Sequence, residues 1–148
     1  MQAEEGEGRE EREGPTPSIS VAANDAMSSA PLDATPSPDA KQIYYTALGS
    51  RDNGEPAPGV FAVAASGGEI KQLAVGEPLI APVNISISLD GARLFIADPA
   101  ASAVFTLPAS GGTPSVLMGT EGYSPRGLTV AMDKDGREFH PGTNYYVG

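Results

Sequence analysis

The chain has 148 residues, with 19 Asp and Glu against nine Lys and Arg, and its formal net charge is −10. It contains no Cys and a single His, which excludes disulfides, zinc thiolate sites, cysteine nucleophiles and multi-histidine metal sites. The acidic balance argues against a nucleic-acid partner, because phosphate contacts require clustered Lys and Arg.

The sequence predicts neither a membrane span nor an export signal. Its longest apolar stretches run to about eight residues, whereas a membrane-spanning helix needs about 20. The chain begins MQAEE, without the basic segment and apolar core of a secretory signal. The cellular compartment stays open.

Residues 1–30 are predicted to form a disordered tail. Residues 1–14 hold six Glu and two Arg and no apolar residue larger than Met1, so they cannot bury enough surface to offset the entropy of ordering. Residues 14–30 are rich in Pro, Ser, Ala and Thr, the composition of a linker. We interpret the acidic run as a solvated segment rather than a specific binding element.

An internal repeat fills the rest of the chain. Pro31, Pro82 and Pro125 each precede an Asp by eight residues, and these repeat starts lie 51 and 43 residues apart. Residues 59–68 also recur as residues 103–112, since both segments contain Val-Phe and end in Ala-Ser-Gly-Gly. The first copy is longer by seven residues within 48–58, which we predict to be an insertion in one loop.

Each copy has the periodicity of strands. Residues 83–89 alternate apolar and polar side chains, and Asp90-Gly91 then supplies the positive φ angles of a tight hairpin. Further strands are predicted at 94–97, 103–107 and 114–118, with Gly-rich turns between them. Each repeat is therefore predicted to be a four-stranded antiparallel meander of about 43 residues, the length typical of a β-propeller blade.

Residues 42–47 and 93–98, each followed by a loop, an apolar triplet and Ser-Gly-Gly, resemble blades of the NHL, YWTD and TolB-like group of six-bladed β-propellers. The Pro-x7-Asp-Gly opening of residues 82–91 also resembles the senescence-marker and gluconolactonase branch. The first copy departs from this pattern, with Ala40 where Gly is usual. The resemblance implies an all-β partial propeller of about 2.5 blades, at about 31–81, 82–124 and, incomplete, 125–148.

Residues 31–148 amount to about 2.7 repeats, whereas propellers close with typically four to eight blades. Uncovered blade faces and unpaired strand edges are avoided in natural proteins. We therefore expect the chain to be a fragment of a longer propeller, or to associate with other copies of itself.

Connections alternate between the two ends of an antiparallel meander. Asp98, the 48–58 segment and the connections between repeats should therefore share one end. In a propeller the first strand of each blade lines the central channel, so Asp33, Asn84 and Arg126, which follow the opening prolines, are expected near its mouth. Asn84, Asp98 and Arg126 are the candidate ligand-binding residues.

Each candidate has a structural alternative. Asp98 precedes a proline and would cap a turn, while Asn84 would be the polar member of an alternating strand. The sequon that begins at Asn84 lies in a predicted strand, so we do not expect glycosylation there. The sequence indicates no catalytic residue, because Ser66 and Ser110 lack the nucleophile-elbow motif and His140 lies in a degenerate terminal region.

Residues 133–136 resemble a calcium loop superficially, but the later ligand positions are not filled, so we predict a hairpin turn without a metal. These features favour a non-catalytic repeat module with a binding or scaffold role, whose partner is an unidentified protein or small molecule. The alternative is a metal-dependent hydrolase similar to the lactonases of the propeller superfamily. That resemblance would imply a divalent cation held by Glu, Asn and Asp, of which only Asn84 has a plausible counterpart.

Overall fold

The computed structural model describes residues 27–132 and 138–139. Most of the predicted tail, the 133–136 turn and His140 lie outside these residues. In the described part the chain is all-β, as predicted, and no helix there is long and apolar enough to cross a membrane. The strands are β1 (Ser29–Pro36), β2 (Gln42–Ser50), β3 (Pro56–Ala64), β4 (Lys71–Val75), β5 (Asn84–Ile87), β6 (Arg93–Asp98), β7 (Ala103–Pro108), β8 (Ser115–Val116), β9 (Ala131–Met132) and β10 (Glu138–Phe139).

The strands form two four-stranded antiparallel sheets, one per repeat. The orders are β1-β2-β3-β4 and β5-β6-β7-β8, so each strand pairs with its neighbour in sequence. In the third repeat β9 pairs with β10, which gives the first hairpin of a further sheet. The predicted meander is confirmed, and β1 begins two residues before the boundary expected at Pro31.

The first hairpin of each four-stranded sheet is closed by the same side-chain arrangement. Ser88 Oγ donates to Asp90 Oδ1 at 2.6 Å and accepts a hydrogen bond from the backbone N of Arg93 at 3.0 Å. Asp90 Oδ1 also accepts from the backbone N of Ala92. Gly91 between them has φ +76°, a conformation that costs glycine little.

Ser37 and Asp39 repeat this geometry in the first sheet. Ser37 Oγ donates to Asp39 Oδ1 at 2.6 Å and accepts from the backbone N of Gln42 at 2.9 Å. Ala40 stands in the glycine position with φ +60°, where its Cβ is strained. Two repeats of different sequence therefore close their turns with one set of interactions.

The predicted loop insertion at 48–58 is wrong. Residues 48–50 continue β2 and pair with residues 56–58 of β3, so these two strands have nine residues each where β6 and β7 have six. Pro56 and Pro58 are tolerated in β3 because β4 pairs with β3 only from Gly59 onward. On that side of β3 no ladder hydrogen bond requires the N–H groups that the two prolines lack. The extra residues lengthen a hairpin, whose turn is closed by the backbone N of Arg51 donating to the carbonyl of Glu55 at 2.9 Å.

The main hydrophobic core lies between the two sheets. The first sheet contributes Tyr44, Val60 and Leu73, and the second contributes a larger apolar set: Ile85, Ile87, Leu94, Ile96, Phe105 and Leu107. A smaller cluster around Phe61 lies on the other face of the first sheet. Both faces of the central strands are buried, which explains the consecutive apolar residues 94–97 in β6 and 103–105 in β7.

Candidate functional site

Asp33 in β1 and Asn84 in β5 are joined across the two sheets. Asn84 Nδ2 donates to Asp33 Oδ2 at 2.7 Å, and the backbone N of Ile85 donates to the same oxygen at 2.9 Å. Asp33 and Asn84 hold the same position in their repeats, two residues after the opening proline. The structure thus brings together two of the three residues expected at the channel mouth.

The amide of Asn84 also reaches the third repeat. Its Oδ1 accepts a hydrogen bond from the backbone N of Leu128 at 2.9 Å. The third repeat has Gly127 at the position of Asn84, so no side chain is available to continue the series. Arg126 is exposed and makes no ion pair within the described part of the chain. Asn84 is therefore the central link of three consecutive repeats, and Arg126 stands apart from it.

Asp98 is completely buried at the end of β6. Its Oδ2 accepts from the backbone N of Ile80 at 2.7 Å, both oxygens lie 3.1 Å from the backbone N of Ala81, and Oδ1 accepts from Ala101 at 3.0 Å. The carboxylate consequently ties the connection between the repeats to the turn between β6 and β7. This is the geometry of the turn-capping alternative.

The turns between the second and third strands lie at the same end of the molecule as the connections between repeats. This end is here called the loop end. Gly122 N donates to the carbonyl of Ser102 at 2.9 Å, and Gly76 N donates to the carbonyl of Pro58 at 2.8 Å. Together with the bonds of Asp98, these contacts place at this end the residues 51–55, 76–82, 99–102 and 117–125.

Three large apolar side chains are exposed at the loop end. Ile80 is 59% exposed, Tyr123 67% and Met118 90%. Ile80 and Tyr123 are equivalent, since each lies two residues before the proline that opens the next repeat. This pair was not predicted from the sequence, although the repeat alignment already contains the signal.

An open groove of about 480 Å³ lies beside the lengthened hairpin. Its walls are residues 50–53 of the hairpin, Gln72, and residues 75–77 at the start of the connection. Arg51, in the wall of the groove, has its Nη1 atom 3.7 Å from Oε2 of Glu55, and both side chains are exposed. The groove has a mixed polar and apolar lining, which includes the carboxyl-bearing residues Asp52 and Glu77.

The side chains considered as ligands, Asn84 and Asp98, already make hydrogen bonds within the protein. Both polar atoms of the Asn84 amide and both oxygens of Asp98 have hydrogen-bond partners in the protein. Within residues 27–132 and 138–139, no three His, Asp or Glu side chains are grouped so that they could hold a metal ion. The side chains of Asp33, Asn84 and Asp98 therefore connect elements of the protein to one another.

Comparisons with known proteins address the fold. No family model matches the chain, and no curated protein matches it. Among solved structures, a chain in the crystal structure of a nidogen/laminin complex has 20% sequence identity and a TM-score of 0.55, and the match covers 71% of this chain and 36% of that one. Hydrazine synthase from Kuenenia stuttgartiensis has 16% identity and a TM-score of 0.54 over 74% of this chain and 41% of its own. The chain thus spans about two fifths of these structures or less, and its two complete sheets and third hairpin form part of a β-propeller.

Proposed function

We propose that the chain is a non-catalytic β-propeller repeat module, of the group that its blades resemble, and that it binds another protein through the loop end. The observation that carries this proposal is the exposure of Ile80 and Tyr123 at equivalent positions of consecutive connections. Exposed apolar side chains that cluster at one site are typical of interaction surfaces, and tyrosine is enriched among the residues that anchor protein interfaces.

The backbone beneath these side chains is held in place. The amide of Ile80 donates to the buried carboxylate of Asp98, and the residue before Tyr123 donates to the carbonyl of Ser102. Little of this backbone would have to become ordered on binding, so the loss of conformational entropy that opposes binding would be small. Anchored loops that display apolar side chains are suited to recognition by a rigid surface.

The similarity to a chain in a nidogen/laminin complex supports a protein as the partner. In that structure a chain of related fold is part of a protein complex. The residues of the proposed interface are drawn from the geometry of this chain.

The alternative, a lactonase-like hydrolase, would need carboxylate and amide oxygens open to a divalent cation. Asp33 and Asn84 converge on the inner strands, which is the arrangement that favours this alternative. However, the Asn84 amide is occupied on both sides by Asp33 and Leu128. A cation would have to displace hydrogen bonds that link three repeats, and we therefore favour the binding function.

The test is photo-crosslinking from the loop end. Benzoylphenylalanine is introduced at Ser124, which is exposed beside Tyr123, and at Ser110 at the opposite end as the matched control. We expect a discrete adduct in extracts of the native host from position 124, lost when Ile80→Ser and Tyr123→Ser are combined, and none from position 110. Equal adducts from both positions, or an adduct insensitive to the double substitution, would contradict the proposal.

The hydrolase alternative is tested on the same protein with a panel of aliphatic and sugar lactones and added Ca²⁺, Mn²⁺ or Zn²⁺. We expect no turnover above that of the metal alone. Turnover that disappears in a folded Asp33→Ala variant would establish the alternative instead.

A further inference from the structure

The two ends of the described molecule differ in charge as well as in exposed apolar surface. The loop end carries four exposed carboxylates, those of Asp52, Glu55, Glu77 and Glu121, and one cation, Arg51, so its formal charge is −3, or −2 when the exposed Arg126 that directly follows it is counted. Arg51 is itself placed 3.7 Å from one of these carboxylates. The surface around Ile80 and Tyr123 is therefore negative.

The opposite end provides an internal comparison. Its turns and the strand residues that flank them, within 37–41, 65–71, 88–93 and 109–114, hold three carboxylates and three cations, so their formal charge is zero. Leu89, 38% exposed, is the large apolar side chain exposed there among the described residues. Net negative charge thus coincides with three exposed large apolar side chains at the loop end, whereas the opposite end has no net charge and exposes one such side chain, Leu89, among the described residues. The combination is therefore a property of the loop end rather than of the acidic chain as a whole.

The carboxylates flank the apolar side chains on both connections. Glu77 precedes Ile80 by three residues and Glu121 precedes Tyr123 by two. Glu121 Oε2 accepts a hydrogen bond from the backbone N of Gly119 at 2.7 Å, so its position is fixed relative to the exposed side chains. Asp52 and Glu77 lie in the walls of the adjoining groove. A bound segment would consequently meet apolar contacts and carboxylates together.

From this coincidence we infer that the loop end takes a basic segment of a partner protein that alternates Lys or Arg with apolar side chains. The inference rests on the proposed function, because it names the chemistry of the partner at the same surface. Complementary charge favours such a segment over an acidic one, since like charges placed opposite each other at an interface disfavour binding. The apolar side chains supply contact area, while the carboxylates favour basic over acidic segments and speed association.

The experiment selects peptides displayed on phage against the full chain. Three pools of random 12-residue peptides are used, one unbiased, one with three fixed Lys or Arg, and one with three fixed Asp or Glu. Selected peptides are synthesised, and their dissociation constants are measured by fluorescence polarisation at two salt concentrations. The baits are the unmodified chain, the Ile80→Ser/Tyr123→Ser variant, an Asp52→Asn/Glu77→Gln/Glu121→Gln variant, and Leu89→Ser as the control at the opposite end.

We expect the basic pool to be enriched and the selected peptides to lose binding to the Ile80→Ser/Tyr123→Ser variant. Their affinity for the charge variant should fall about tenfold, because each exposed charge pair contributes modestly and is screened by salt. Leu89→Ser should bind normally. All substituted side chains are exposed, and Glu121→Gln keeps a side-chain oxygen that can accept from the backbone N of Gly119, so circular dichroism should show folded variants.

The two proposals fail in different ways. Enrichment of acidic or neutral peptides that still require Ile80 and Tyr123, or equal affinity for the charge variant, would overturn the basic partner and leave the binding surface standing. The absence of any peptide from all three pools whose binding depends on Ile80 and Tyr123 would overturn both.

Discussion

The side-chain amide of Asn84 donates a hydrogen bond to the carboxylate of Asp33 over 2.7 Å and so joins the first strands of consecutive sheets. The other side of the same amide accepts from the backbone of Leu128 in the third repeat. A single side chain thus links three consecutive repeats. Its replacement should affect the whole structure rather than one loop.

Asn84→Ala should lower the free energy of unfolding by about 2 kcal/mol, because it removes two hydrogen bonds and leaves partly buried partners unpaired. The measurement is guanidinium unfolding followed by far-ultraviolet circular dichroism. Asn53→Ala is the matched control, since the Asn53 side chain accepts a hydrogen bond from Glu55 in an exposed turn. The control should change stability by less than about 0.5 kcal/mol. Equal effects of the two substitutions would refute the linking role of Asn84.

Asp98→Ala should be more damaging, with a loss of about 3 kcal/mol, because the buried carboxylate accepts from three backbone amides and its removal leaves those donors unsatisfied. Asp98→Asn keeps one acceptor oxygen, so its free energy of unfolding should lie between those of Asp98→Ala and the unmodified chain. Asp52→Ala, in an exposed turn, is the control. Chemical denaturation ranks the four proteins, and an Asp98→Ala variant as stable as the control would show that the carboxylate does not hold the connection.

The architecture was predictable because strand periodicity and turn residues are local signals. The alternation of residues 83–89 and the Asp90-Gly91 turn place β5 and β6 correctly, and the alternation of connections correctly predicts which loops share an end. The prediction of a loop insertion at 48–58 failed because Gly and Pro usually mark loops. Its strand pairing depends on Pro56 and Pro58 lying where β3 has no partner on its other side, and that depends on where β4 ends.

The candidate site was predicted only in part. Asp33 and Asn84 were expected to lie close together, but their direct hydrogen bond depends on side-chain geometry that no spacing encodes. The burial of Asp98 follows from how the connection at Ile80 folds back over β6, which is a tertiary contact. By contrast, Ile80 and Tyr123 could have been found by asking which equivalent loop positions are apolar in both repeats.

The two Ser-x-Asp turns predict a specific titration behaviour. Hydrogen bonds from the Ser37 hydroxyl and then from the Lys41 backbone lower the pKa of Asp39 below its ordinary value of 3.8, and the Ser88 hydroxyl and the Ala92 backbone do the same for the pKa of Asp90. Because the folded-state pKa is depressed, these bonds stabilise the fold fully above the ordinary pKa. Their contribution is lost as the pH falls through the folded-state pKa.

Carboxyl-carbon NMR titration should therefore give midpoints below 3.8 for both residues. Ser37→Ala should raise the midpoint of Asp39 and leave that of Asp90 unchanged, and Ser88→Ala should do the reverse. Unchanged midpoints in the two variants would show that the hydroxyls do not stabilise the ionised carboxylates.

Ala40→Gly and Gly91→Ala form a reciprocal pair. Ala40 has φ +60° and Gly91 φ +76° at equivalent turn positions. Relief of the strained alanine should raise the free energy of unfolding by about 0.5 to 1 kcal/mol, and the reverse change should lower it by about 1 kcal/mol. Thermal unfolding of the two variants and the parent gives the sign directly. A destabilising Ala40→Gly would mean that the turn strain is outweighed by the greater freedom of glycine in the unfolded chain.

Thr46→Val should stabilise the protein. The Thr46 side chain is completely buried in β2, and its hydroxyl has no hydrogen-bond partner. An unsatisfied buried hydroxyl costs about 1 to 3 kcal/mol, and valine keeps the shape and the β-branched preference for a strand while it removes that cost. The second repeat has Ala97 at the equivalent position, so an apolar side chain suits this part of the sheet.

We expect Thr46→Val to gain about 1 kcal/mol in guanidinium unfolding, because the valine leaves no polar atom unpaired in the interior. Thr106→Val, whose hydroxyl lies 3.3 Å from Ser115 Oγ, is the control that gains nothing. A loss of stability in Thr46→Val would show that the hydroxyl is satisfied in solution.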